Sequence, residues 1–155
     1  MPHIHEKIDF TVNGYLVYQG KVLLRMHDKY KIWLGVGGHV ELDEDPNQAL
    51  IREVKEEVGL KLNFKTPVQE SSDLKVLVPP DFMNIHQIAD GSPHRHIDLI
   101  YLVEATSAEV KPGGKDLSDQ WKWFSKTELD DPQYSIREIV RDYAKAALEK
   151  FPAKF

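Results

Sequence analysis

The chain has no cysteine among its 155 residues. That excludes disulfides, zinc–thiolate centres and a cysteine nucleophile, and it fits a reducing compartment. A basic surplus is also missing: 20 Lys and Arg stand against 25 Asp and Glu, for a net charge of −5 and a pI near 5.8. Proteins that grip polymeric DNA or RNA carry the opposite balance, so no polymeric nucleic acid is expected as a partner. A small anionic substrate stays open, because a bound divalent cation reverses the local charge. Long apolar runs are absent too. The most apolar stretch, 97–103, contains Asp98 and falls far short of the ~20 residues that a bilayer requires. The opening MPHIHEKIDF lacks the basic-then-apolar pattern of a secretory signal. No membrane association and a cytoplasmic location are therefore expected. The hydrophobic share of 41% and charged share of 29% suit one globular domain over 1–155.

Residues 8–18 and 21–27 are apolar and rich in β-branched and aromatic side chains, and Gln19-Gly20 between them predicts a hairpin. A short element at 32–34 leads into Gly35-Val36-Gly37-Gly38, after which Val40 and Glu41 are expected to form a brief strand. Asp45 is a good N-cap, Pro46 suits the first helical position and Gln48 completes a capping box, while Gly59 supplies a left-handed stop. These signals predict a helix over 46–58. Residues 60–64 and 73–78 read as strands, 80–94 as a loop, 94–105 as a strand buried on both faces, and 106–119 as a second loop. A short aromatic strand at 120–125 and an amphipathic helix at 135–151 complete an α/β pattern.

The chemistry concentrates in GHVELDEDPNQALIREVKEEVGL, residues 38–60. Glu53, Glu56 and Glu57 stand at i, i+3 and i+4 and share one helical face, whereas Ile51, Val54 and Val58 share another. Like charges at that spacing oppose helix formation by ~0.2–0.5 kcal/mol per pair. Arg52 reaches Glu56 at i+4 but cannot neutralise three acids. A hard divalent cation can, since it prefers carboxylate and water oxygens. On the helix alone, a solvated acidic face would explain the pattern. Gly37-Gly38 and Glu44 just ahead of it shift the reading toward a metal site, because glycine lets backbone approach a ligand closely.

This segment resembles the signature of the Nudix hydrolases, with Gly38, Glu44, Arg52, Glu53, Val54, Glu56, Glu57, Gly59 and Leu60 at every specified position. Outside those positions, Val36 and Leu42-Asp43 replace residues that are common in the family and affect loop shape rather than the carboxylates. Asp116 and Asp119 ahead of Trp123-Phe124, then Glu128-Leu129, resemble the family's late strand and closing helix. The resemblance implies an α/β/α sandwich with a mixed β-sheet. It implies metal-dependent hydrolysis, with Mg²⁺ or Mn²⁺, of a nucleoside diphosphate linked to another group, by water attack at phosphorus. By position, Glu53, Glu56 and Glu57 are the expected metal ligands, joined by the backbone carbonyl of Gly38 or Gly37. Arg52, Glu53 and Glu56 are the expected catalytic residues, with Arg52 orienting a glutamate. The general base is Glu53, Glu56 or an acid outside the box, for which Asp116, Asp119 and Glu104 are candidates.

Arg25, Trp33 and His39 are candidate substrate contacts, with solvation or packing as the alternative for each. Phe82 and Met83 are weaker candidates for stacking on a base. His94, His96 and Asp98 alternate along one strand face. That spacing fits a two-histidine, one-carboxylate metal site, but the box already accounts for a metal, and contact with solvent or substrate at a strand entrance is the preferred reading. The expected partner is a small nucleotide-type diphosphate, with a nucleoside triphosphate mildly preferred over ADP-ribose and nucleotide sugars; homodimerisation is left open. A non-catalytic ligand-binding module of the same fold is the competing class. An isopentenyl-diphosphate isomerase is disfavoured, since those enzymes use a cysteine.

Overall fold

The hairpin at the start of the chain sets the frame of the sheet. In the computed structural model, which describes residues 7–65, 71, 73–89, 91–112 and 120–154, β1 (Ile8–Tyr18) turns through Gln19 and Gly20 into β2 (Lys21–Met26). Both turn residues have positive φ, 46° and 76°, the geometry that matches the twist of a two-residue hairpin. β3 (Trp33–Leu34) pairs with the end of β2, and β4 (Val36–His39) pairs antiparallel with residues 11–14 of β1. On its other side β1 runs parallel to β6 (His94–Glu104), which pairs antiparallel with β5 (Phe82–Ile88). β7 (Trp121–Phe124) pairs with β2. Among the described residues the sheet is therefore mixed and seven-stranded, with β1 at its centre.

Each face of the sheet carries an apolar cluster under a helix. α1 (Pro46–Val58) buries Leu50, Val54 and Val58 against Val12, Leu16, Leu23 and Val36. On the opposite face α3 (Glu138–Lys150), after the short α2 (Lys126–Leu129), buries Val140, Tyr143, Ala144 and Ala147 against Tyr15, Val17, Leu24 and Ile100. The expected α/β/α arrangement is present, and the central residues of β6 feed both clusters, as predicted for a strand buried on both sides. Among the described residues no helix is long and apolar enough to cross a membrane.

Several local expectations are corrected. The strand near the glycines is Val36–His39, not Val40–Glu41. It runs through Gly37 because β1 lies so close that a side chain there would strike the Val12 carbonyl. Residues 60–64 make only an isolated bridge, Leu62 to Ala105. Residues 73–78 form no strand: the side chain of Asn47 takes both backbone groups of Val78, accepting from its N at 2.9 Å and donating to its O at 3.0 Å. The predicted loop at 80–94 holds β5, whose side chains are mostly exposed on both faces and so show no apolar alternation. On α1 the buried stripe runs through Leu50, Val54 and Val58, while Ile51 is 43% exposed. α3 begins at Glu138 rather than 135, since Ser135 adopts a left-handed conformation that ends a preceding 3₁₀ turn.

Asn47 is fully buried and also lies 3.3 Å from the Tyr101 hydroxyl. It ties the start of α1 to the segment before β5. Asn47→Ala leaves these partners unsatisfied and is expected to lower stability by about 2–3 kcal/mol in urea unfolding, because buried polar groups lose their desolvation compensation.

Candidate active site

The helix that carries the acids starts and stops as its sequence dictates. The Asp45 side chain accepts from Gln48 N, the Gln48 side chain accepts from Asp45 N, and Gly59 closes the helix at φ 66°. A side chain at Gly59 would also collide with the carbonyl of Lys111. Register along this fixed helix explains the exposure of the three glutamates. At 100° per residue, Glu57 and then Glu53 border one edge of the Leu50–Val54–Val58 stripe, and Glu56 lies farther round on the same side. Their side chains are accordingly 19%, 15% and 57% exposed.

Arg52 organises the site. Its Nε and Nη2 donate to the two oxygens of Glu44 at 3.0 and 2.6 Å, in a bidentate fork. Nη1 donates to Glu53 at 2.9 Å and to Glu56 at 3.3 Å, and Nη2 also donates to the His39 carbonyl at 3.0 Å. Every donor of the guanidinium is thereby used. The consequence is rigidity: a single planar cation fixes three carboxylates and ties helix α1 to the end of β4. The carboxyls of Glu44 and Glu53 are shifted in opposite directions. Arg52 holds the Glu44 carboxyl below its usual range. Burial pushes Glu53 up, with Arg52 opposing.

Glu57 is held differently. Arg25, on β2, donates to its Oε1 at 2.8 Å, and its Oε2 is fully buried. Gly38 completes the pocket from the strand side: a Cβ there would lie 2.6 Å from Glu53 Cδ, so the bare backbone is what allows β4 to lie against that carboxyl. Four carboxylates thus meet two guanidiniums, leaving two net negative charges. That residual charge and the all-oxygen donor set fit a hard divalent cation.

The sequence-predicted residues divide by geometry. Glu44, Glu53 and Glu56 meet on Arg52, and Gly38 lies against Glu53, whereas Glu57 shares their helix but is held by Arg25. Arg25 is drawn in as the partner of Glu57, a pairing for which the sequence offers no signal because β2 and α1 meet only through the fold. Trp33 packs edge-on against Phe124 and Tyr134 in the cluster under α3, on the other face of the sheet from α1. The ring of His39 turns away from the box toward His96, with centroids 5.0 Å apart. Phe82 stacks on Tyr143, and Met83 is exposed. Glu104 pairs with Val17, at the end of β6 remote from the Thr11–His39 pair beside the box. Asp116 and Asp119 lie outside the described residues. The side chain of Asp98 accepts from Thr11 Oγ1 at 2.9 Å rather than joining His94 and His96.

Comparison with known proteins identifies the family. The NUDIX domain profile matches residues 10–143. A solved hydrolase of the NUDIX family from Clostridium perfringens is 35% identical, with a TM-score of 0.78 over 92% of this chain and 97% of that one. An ADP-ribose pyrophosphatase of Methanocaldococcus jannaschii is 25% identical over 86% of this chain and 71% of its own length. An RNA pyrophosphohydrolase of Blochmanniella pennsylvanica is 28% identical over 90% and 94% respectively. A profile match over most of the chain and a shared sheet that superposes on a solved relative place this protein in the Nudix family, as a hydrolase of pyrophosphate bonds.

Proposed function

We propose that the chain hydrolyses the diphosphate linkage of a small nucleotide in the presence of Mg²⁺ or Mn²⁺, with a nucleoside triphosphate or similar compound as substrate. The observation that carries this reading is the clamp of Arg52 on Glu44, Glu53 and Glu56 beside Gly38, which presents a negative, oxygen-rich site of fixed geometry. Glu53, Glu56, Glu57 and the Gly38 carbonyl would hold the cation. Once bound, such an ion neutralises the diphosphate oxygens and makes water a better nucleophile. The protein's own groups supply the rest. Arg52 and Arg25 keep the carboxylates in place without reorganisation, and Glu53 or Glu56 takes the proton from the attacking water.

Two relatives point to other diphosphates, since one is named for ADP-ribose and the other for RNA. The net charge of −5 weighs against a long RNA as ligand. The test is turnover of nucleoside triphosphates, ADP-ribose, nucleotide sugars and a 5′-triphosphorylated oligonucleotide with Mg²⁺. Preferential hydrolysis of a nucleoside triphosphate supports the proposal, and preference for another member reassigns the substrate. No turnover of any member favours the binding-module reading.

A further inference from the structure

On the sheet face opposite α1, the strand register assembles a second group of ligand-type side chains. Asp9, Thr11, Asn13 and Tyr15 alternate on that face of β1, and His94, His96, Asp98 and Ile100 on that face of β6; Tyr15 and Ile100 at one end lie in the cluster under α3. The parallel pairing sets Asp9 beside His96, and the β5 pairing sets His86 beside His96. At the entrance to β6, His94 Nε2 lies 3.0 Å from His96 Nε2 and 3.5 Å from Asp9 Oδ2, and His96 Nε2 lies 3.9 Å from the same oxygen. His39 Nε2 stands 3.8 Å from that oxygen as well.

A plain hydrogen bond between the two imidazoles does not satisfy this arrangement. His94 Nδ1 lies 2.8 Å from the Ser92 carbonyl, which can only accept, so that nitrogen carries the ring proton. In the neutral ring His94 Nε2 is then a bare lone pair. Asp9 Oδ2 is also an acceptor. With both rings neutral, at most one proton, on His96 Nε2, is available to the three converging atoms. A cation satisfies all three atoms together. Four ligands at ~2.0–2.1 Å from a tetrahedral centre stand about 3.3–3.4 Å apart, which the separations of 3.0, 3.5 and 3.9 Å bracket. The Ser92 carbonyl on the far nitrogen is the orienting contact that metal-bound histidines characteristically make.

We propose that Asp9, His94 and His96 bind a late first-row divalent cation of the Zn²⁺ type, at a site separate from the box carboxylates, with His39 or water completing the coordination. Two imidazoles and one carboxylate select such an ion over Mg²⁺, which prefers an all-oxygen shell. The ion joins the starts of β1 and β6 and abuts the end of β4, whose His39 carbonyl is held by Arg52.

The experiment is equilibrium dialysis of the full chain against Zn²⁺, with excess Mg²⁺ to occupy the box, and the visible spectrum of the Co²⁺ form. The expected result is one Zn²⁺ per chain and Co²⁺ bands of tetrahedral nitrogen–oxygen ligation. Asp9→Asn, at a half-exposed position, and His94→Gln should each weaken Zn²⁺ binding by more than about tenfold, as losing a ligand is at least as costly as losing its orienting partner. Glu57→Gln and the pair His3→Ala, His5→Ala should bind as the wild type does. The proposal is overturned if the wild type takes up no Zn²⁺ beside Mg²⁺. It is equally overturned if the ion survives both Asp9→Asn and His94→Gln, or leaves with Glu57→Gln or with the two N-terminal histidines.

Discussion

Glu57→Gln is expected to lower kcat by about a thousandfold with Mg²⁺, the scale of several kcal/mol that a cation contributes to charge stabilisation at phosphorus. The substitution is isosteric and keeps an oxygen for Arg25, which now donates to Oε1 at 2.8 Å. It removes one charge from a site whose net of about −2 draws the cation. The loss should therefore appear in kcat and in the Mg²⁺ concentration needed for half-maximal rate, while the urea midpoint moves little. Initial rates across a Mg²⁺ series check both. A kcat within about tenfold of wild type would show that Glu57 lies outside the cation's reach.

The acidic helix was readable because its signals are local. Asp45, Pro46, Gln48 and Gly59 each act within a turn of their own position, and all four do in the fold what their residue types predict. The spacing of Glu53, Glu56 and Glu57 likewise follows from helical geometry alone. What the sequence does not carry is which strands lie beside that helix. Arg25 and Glu57 are 32 residues apart and meet only because β2, β1 and β4 pair in a particular order. The histidine cluster illustrates the same limit: His94 and His96 were visible as an alternating pair, but their carboxylate partner depends on the parallel register that sets Asp9, rather than Asp98, at their level. β5 was missed for a different reason. Its side chains are largely exposed on both faces, and an apolar alternation is the trace of one-sided burial.

The two adjacent glycines of β4 allow the demands of folding and chemistry to be separated with one methyl group each. At Gly37 the added carbon would strike the Val12 carbonyl oxygen and stand 2.7 Å from the Val12 carbonyl carbon, all backbone of the central strand. Neither strand can yield without giving up the pairing of residues 11–14 with β4. Gly37→Ala is therefore expected to cost about 3–5 kcal/mol in urea unfolding, at the upper end for an overpacked site. At Gly38 the three atoms nearest the same carbon all belong to the carboxyl of Glu53, whose Cδ lies 2.6 Å away at the end of a rotatable side chain. Rotation relieves the clash and moves Glu53 off Arg52 Nη1 and out of the acidic cluster. Gly38→Ala should then change stability by less than about 1 kcal/mol but lower kcat by about a hundredfold, the usual consequence of misplacing a catalytic group by an ångström. Unfolding midpoints and kcat measured on both variants decide the matter. If Gly38→Ala unfolds the chain as readily as Gly37→Ala, the glycine serves the sheet. If it keeps both its stability and its kcat, Glu53 has no part in the reaction, and the assignment of the acidic face as the catalytic centre fails with it.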